Sequence, residues 1–311
     1  MQVSAVRPGY VAAPQAARKR QSRGWLAGYL FLLPWLVGFF GLTLGPALAS
    51  LVLSFTHFDL MTDPRWAGMA NYRRIAFADA KFWESLRVTF TYVVLTVPLK
   101  LAFALGVAMI LNKGLRGLAV YRAIFYLPSL LGASVAIAVL WREIFTGNGL
   151  LNQVLAMAGI QGPNWIANPD TAIYTLVVLG IWQFGSPMII FLAGLRQIPQ
   201  DLYEAAALDG ASPRRRFLRI TLPLLTPIIF FNAIIQVIDA FKAFTPAFII
   251  SDGTGGPVNS TLFFTLYLYQ EAFGNFRMGY ASALAWILVL IIAAFTALSF
   301  FSARYWVHYD E

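Results

Sequence analysis

Long apolar runs alternate with short polar stretches along this chain. Six runs suffice for a bilayer-spanning helix, which takes ~20 mostly apolar residues. They fall at about 25–55, 89–111, 123–144, 171–194, 220–250 and 279–302. The fold class this pattern predicts is all-α: a polytopic membrane protein with six transmembrane helices. A polar tail over 1–24 precedes a six-span body over 25–305, and a short tail over 306–311 follows. The first and fifth runs are longer than a bilayer needs and contain Pro34, Pro46, Pro223, Pro227 and Pro246. Tilt, a kink or an extension beyond the membrane is expected there.

Composition agrees with the pattern. The chain is 59% hydrophobic and 12% charged, whereas a soluble domain carries about 25% charged residues. Its net charge of +9 sits beside the apolar runs, as at a membrane boundary, so nucleic acid is not an expected partner and membrane lipid is. The absence of cysteine excludes disulfides and thiolate metal sites. His57 and His308 are too few and too far apart for a metal cluster, so no metal site is expected.

Lysine and arginine near the span ends set the orientation. One side receives the arginines and lysine of the N-terminal tail, then Lys113, Arg116, Arg122, Arg196, Arg214, Arg215, Arg216, Arg219 and Arg304, fourteen in all. The other side receives seven: Arg65, Arg73, Arg74, Lys81, Arg87, Arg142 and Arg277. Both termini are therefore expected in the cytoplasm. The basic "RKRQSRG" before the first run could open a cleaved signal peptide. The apolar run of about 20 residues is too long for an h-region of ~7–15, so an uncleaved span is the better reading.

One stretch interrupts the apolar pattern with a small helical motif: "DLYEAAALDGASPRRRFLRITLP", residues 201–223. Asp201 with Glu204 three residues on has the spacing of a capping box. Gly210 offers a left-handed stop, and Ser212 with Pro213 a second N-cap and first helical position. The expected form is helix, sharp turn, helix. Ala205, Ala206 and Ala207 leave the first helix thin enough for another protein surface to approach, with Leu202 and Tyr203 as larger contacts.

These residues carry a resemblance. Glu204, Ala205, Ala206, Gly210, Ile220, Leu222 and Pro223 stand at the spacing of the EAA motif of ABC-transporter permease subunits. "FLLPWLVGFF", "GMANYRRI", "YRAIFYLPSL", "GLLNQVL" and "MGYASALAW" further resemble the maltose-type carbohydrate permeases, in the six-span form similar to lactose, oligosaccharide and glycerol-phosphate permeases. The resemblance implies a permease subunit of an ATP-driven, binding-protein-dependent carbohydrate importer in a bacterial cell (inner) membrane. Its implied partners are a second homologous permease, two copies of an ABC ATPase and an extracytoplasmic solute-binding protein. The helix bearing Glu204, Ala205, Ala206, Asp209 and Gly210 would couple to the ATPase, with Arg214, Arg215 and Arg216 facing the ATPase or anionic lipid. No G-x-x-x-x-G-K-[ST] phosphate loop occurs, so no enzymatic activity and no cofactor is expected in this chain. ATP and magnesium would bind the partner ATPases.

Ionisable groups inside spans are costly and are functional candidates for that reason. Lys100 lies in the second span; Asp239 and Lys242 share a face of the fifth, in a stripe with Asn232, Gln236 and Thr245. Asp239 and Lys242 can neutralise each other, contact substrate, or both. "IWQFGSP" at 181–187 combines aromatic rings with an amide and a hydroxyl, groups that stack on sugar rings and read their hydroxyls. By the resemblance, Trp182, Gln183 and Phe184 in the fourth span, and Asp239, Phe241, Lys242 and Thr245 in the fifth, are the substrate residues, beside Gln236. The two lysines raise the expectation of an acidic cargo. An ion-coupled secondary transporter using Asp239 and Lys242 as a relay is the alternative class. It explains the charges but not residues 204–223, and no inverted repeat is visible. No nucleophile–base or metal constellation occurs, so no catalytic residue is assigned.

Overall fold

The computed structural model describes residues 21–114, 117–132 and 134–307, with side chains from residue 28 onward. The N-terminal tail to residue 20, Arg116 and His308 lie outside the described residues. The chain divides into two compact units, residues 1–52 and 53–311. The first holds α1 (Gln21–Gly38), a π-helical turn at Phe39–Leu44 and most of α2 (Gly45–Leu53). Gly28–Leu53 is continuous and apolar enough to cross a membrane.

The second unit opens on a two-residue antiparallel ladder, β1 (Thr56–His57) with β2 (Arg65–Trp66), in which Thr56 pairs with Trp66. Helix α3 (Ala70–Ala78) follows, then α4 (Ala80–Leu111). At 32 residues α4 starts nine positions before the apolar run does, because Asp79 caps it by accepting the Phe82 N–H at 3.1 Å. Next come α5 (Leu118–Leu131), α6 (Val135–Phe145) and α7 (Leu150–Met157), then α8 (Pro169–Trp182) and α9 (Gly185–Leu195). Short helices α10 (Gln200–Leu208), α11 (Pro213–Arg216) and α12 (Leu222–Leu224) lead to α13 (Thr226–Phe241), a π-helical turn at Phe217–Thr221 lying between α11 and α12. Helices α14 (Thr245–Ile250), α15 (Phe264–Tyr269) and α16 (Met278–Trp306) complete the chain.

Among the described residues four helices are long and apolar enough to span a membrane, or up to six if each bent pair counts as one span. The expected third span is two helices, α5 and α6, with Ser134 capping the second by accepting the Ile137 N–H. The expected fourth is likewise α8 and α9, bent by 42° at Gln183–Phe184. The fifth stops at Lys242 and restarts at Thr245. Three of the prolines in these long runs are first-turn residues of new segments: Pro223 in α12, Pro227 in α13 and Pro246 in α14. A first-turn position needs no N–H from its residue, so proline starts a segment there without losing a bond.

Two apolar clusters hold the second unit. The upper centres on Val97, Leu176, Phe241, Phe263, Phe264 and Leu284, the lower on Ala104, Ala108, Met188, Phe191, Leu192 and Leu225. Leu101 packs against both. Above the upper cluster, Asp79 ties three elements together: its Oδ2 accepts hydrogen bonds from the hydroxyls of Tyr267 and Tyr280 while Oδ1 caps α4. The Arg74 guanidinium lies over the Tyr280 ring at 5.2 Å.

Candidate substrate cavity and coupling segment

Between the two clusters lies a cavity of about 330 Å³. Lys100, Gln183, Gln236, Asp239, Lys242 and Thr245 line it, with Tyr92, Thr96 and backbone from Gly132 and Gly180. All three helix interruptions converge here. Gly132 ends α5, Gln183 follows α8, and Lys242–Phe244 separates α13 from α14.

An interrupted span leaves backbone groups without helical partners, and in the bilayer each must find another. Side chains supply them. Ser129 Oγ donates to the Gln183 carbonyl at 3.0 Å and accepts the Ser186 N–H at 3.0 Å, so one hydroxyl bridges both sides of the α8–α9 break. Gln183 Nε2 donates to the Gly132 carbonyl at 3.3 Å. Thr265 Oγ1 donates to the Ala243 carbonyl. Two glycines make this wall close-packed. A Cβ on Gly132 would meet Gln183 Cγ at 2.2 Å, and one on Gly185 would meet the Phe125 carbonyl oxygen at 2.6 Å.

The cavity brings together Gln183, Gln236, Asp239, Lys242 and Thr245 and adds Lys100. Other residues named from the sequence lie elsewhere. Phe184 is buried and sits edge-on to Phe103 in the lower cluster. Phe241, 1% exposed, packs on Phe90 and Phe295. The Trp182 ring lies 5.8 Å from Trp141, which donates its indole N–H to the Thr175 carbonyl. The break turns the Gln183 backbone so that its side chain crosses to Gly132. Tyr92 and Thr96 were not legible as site residues, because a lone hydroxyl in an apolar run gives no signal. Thr96 Oγ1 is buried and makes no hydrogen bond.

Asp239 forms no ion pair with Lys242 or Lys100; among the described residues the ion pairs are Arg142 with Glu143 and Asp252, and Arg277 with Glu271. Lys100 faces the same cavity from α4, a different span, which helical spacing within the fifth run cannot reveal. The lining thus carries two cations against one carboxylate. Among the described residues no group of three or more His, Asp or Glu side chains is placed to hold a metal.

The coupling segment folds as helix, turn, helix, with one correction. Pro199 occupies the N-cap of α10 and no side chain caps it, so Asp201 and Glu204 form no capping box. Proline at that position places the helix start two residues before the acidic cap the spacing suggested; Asp201 remains in the first turn, favourable to the helix dipole. Gly210 has φ +72°, and a Cβ added to it would meet nothing within 4 Å, so backbone conformation rather than crowding requires glycine. The Ala211 N–H bonds the Ala206 carbonyl at 2.9 Å and the Gly210 N–H the Ala207 carbonyl at 3.1 Å, closing α10 in a Schellman pattern. Ser212 Oγ then caps α11 at the Arg215 N–H.

Tyr203 anchors α10: its ring packs against the lower cluster and its hydroxyl lies 2.9 Å from Thr221 Oγ1. On the opposite face Leu202, Ala205 and Leu208 are exposed at intervals of three residues, with Leu208 90% exposed. Glu204 and Asp209 are exposed, as are Arg214 and Arg215; Arg216 is partly covered.

The fold is that of a transport permease. Residues 81–307 match the family described as "Binding-protein-dependent transport system inner membrane component", and the chain belongs to it. It is 53% identical to a protein of Bacillus subtilis (strain 168) named "Probable ABC transporter permease protein YesP", over 92% of this chain and 93% of that one. It is 34% identical to the lactose transport system permease protein LacF of Rhizobium radiobacter, over 89% and 94%. Among solved structures, a subunit of a bacterial alginate ABC transporter, in complex with an alginate pentasaccharide-bound periplasmic protein, matches with TM-score 0.78 and 21% identity, over 93% and 98%.

Proposed function

We propose that this chain is the permease subunit of an ATP-driven importer of an oligosaccharide, and that the cargo is acidic. The names of relatives support the carbohydrate class: lactose, trehalose/maltose and arabinooligosaccharide permeases align over 85–89% of this chain. The observation that carries the acidic reading is the cavity's charge, Lys100 and Lys242 against Asp239, at the level where three spans are interrupted. Gln183, Gln236 and Thr245 supply amides and a hydroxyl for sugar hydroxyls, and the lysines a counter-charge for carboxylates. A low-dielectric surround strengthens such pairing.

The same reading gives the chain its partners. Two copies of an ABC ATPase bind ATP and magnesium and receive α10 through the exposed Leu202, Ala205 and Leu208 with Glu204 and Asp209. A second, homologous permease completes the pore. A solute-binding protein delivers the sugar from outside, and both termini face the cytoplasm.

Replacing Lys242 by Met tests the cargo. Uptake of an alginate oligosaccharide is expected to fall by more than about tenfold relative to an arabinooligosaccharide, the loss of one charge-assisted contact. Equal loss for both would sink the acidic reading. Replacing Glu204 by Lys tests the coupling: the ATPase is expected to dissociate during purification while the second permease remains. Retention of the ATPase would remove α10 from the docking surface.

A further inference from the structure

One face of the fifth span carries Leu225, Ile229, Asn232, Gln236 and Ala240 at intervals of three and four residues. Leu225 and Ile229 belong to the lower apolar cluster and Ala240 to the upper. Between them two successive turns carry amides. Gln236 opens on the cavity. Asn232 does not line it; its side chain is 1% exposed, and neither Oδ1 nor Nδ2 has a protein hydrogen-bond partner.

A buried amide without partners destabilises the state that holds it, whereas an apolar side chain of similar shape at the same place would not. In this conformation the Asn232 carboxamide is therefore a liability. It gains a use only in a conformation where it meets a ligand. The surroundings say where that conformation opens. Helix α13 packs against α4, α9 and α16, and one turn below Asn232 the Ile228 side chain covers Gly194 of α9, where a Cβ would stand 2.0 Å from Ile228 Cδ1. The polar face of α13 thus runs one turn deeper than the cavity, toward the coupling segment, and stops at a packed seam.

We propose that Asn232 is a second station for substrate hydroxyls, one turn below the cavity, taken up when α4 and α9 separate from α13. A carboxamide offers two donors and an acceptor, enough to read a pair of neighbouring sugar hydroxyls. The proposal rests on the cavity being the substrate site and adds to it a residue used at a later step of passage.

Two variants test it. Asn232→Leu keeps the volume and removes the unpartnered amide. Its thermal midpoint in detergent is expected to equal or exceed that of the wild type, while uptake of whichever alginate or arabinose oligosaccharide the wild type carries falls at least about tenfold. A lowered midpoint would mean the amide is already satisfied in the resting protein, and unchanged uptake would mean it meets no substrate; either overturns the proposal. The chain has no cysteine, so Asn232→Cys introduces one reporter thiol. In the assembled transporter a small methanethiosulfonate reagent is expected to label it at least about tenfold faster during ATP turnover than without ATP, as a buried site opens. Equal rates would overturn the proposal. If the wild type carries neither oligosaccharide while labelling still responds to ATP, the cargo reading has failed and the opening at Asn232 has not.

Discussion

Gly185→Ala is the substitution that most directly tests the packing of the cavity wall. The added Cβ would stand 2.6 Å from the Phe125 carbonyl oxygen, 2.7 Å from Tyr126 Cα and 2.9 Å from Ser129 Oγ. Two of these three atoms are backbone of α5 and cannot rotate away. Relief therefore requires α9 to move off α5, which strains the Ser129 bridge at Gln183 and Ser186 as well. Overpacking of this kind costs about 1–3 kcal/mol. The helix-propensity gain of alanine over glycine, up to ~1 kcal/mol in a helix interior, is smaller at a first-turn position and does not cancel it. Gly132→Ala is the control. Its Cβ meets only Gln183 side-chain atoms, at 2.2, 2.3 and 2.8 Å, and a glutamine side chain can swing aside. It would lose one long hydrogen bond, about 1 kcal/mol, but would reorient an amide that faces the cavity. Thermal unfolding in detergent should separate the two: Gly185→Ala lowers the midpoint by several degrees and Gly132→Ala much less. Uptake should show both impaired, Gly132→Ala out of proportion to its stability. Equal destabilisation by the two, or a stable Gly185→Ala protein, would refute the close-packed wall.

Two further predictions concern the region outside the membrane. Burial alone would push the Asp79 carboxyl up, but hydrogen bonds from Tyr267 and Tyr280, with the Phe82 and Lys81 backbone, outweigh it and hold the group below the usual carboxylate range. Its contribution is therefore present above the unfolded value of about 3.9 and lost as pH falls through the lower folded value. Asp79→Asn keeps the cap but loses the charge-assisted tyrosine bonds, so it is expected to cost roughly 2 kcal/mol at neutral pH. The unfolding midpoints of variant and wild type should converge in acid; a gap independent of pH would remove the charge from the account. Glu271 is buried, accepts from Asn275 at 2.8 Å and pairs with Arg277 at 3.2 Å. Glu271→Gln should lower stability by about 1–3 kcal/mol by leaving that guanidinium without its carboxylate, and a neutral result in chemical unfolding would count against the pair.

The parts of this protein legible in its sequence are those written in local chemistry. Gly210, Ser212 and Pro213 carry their conformations in their own side chains, so the turn after α10 followed from spacing alone. Six apolar runs likewise announced membrane-spanning helices. The interruptions at Gly132, Gln183 and Lys242 were not legible, because each break is stabilised by a partner distant in sequence. Ser129 is 54 residues from Gln183, and Thr265 is 22 from Ala243. A glutamine in an apolar run looks the same whether its helix continues or stops. For the cavity, the polar stripe along the fifth apolar run pointed to Gln236, Asp239, Lys242 and Thr245. The aromatic neighbours Phe184 and Phe241 instead serve the core, since ring identity says nothing about which side of a helix faces a void.

The interruptions have a mechanical consequence. An unbroken helix resists bending through its whole ladder of hydrogen bonds and transmits a push at one end to the other. At the α8–α9 break that ladder is replaced by one serine hydroxyl, and at the α13–α14 break by one threonine hydroxyl. A stitch of that kind is worth about 1 kcal/mol, within reach of ordinary thermal fluctuation. A push applied along α13 would therefore end at the cavity as rotation about a fulcrum, instead of travelling on as the thrust of a rigid rod.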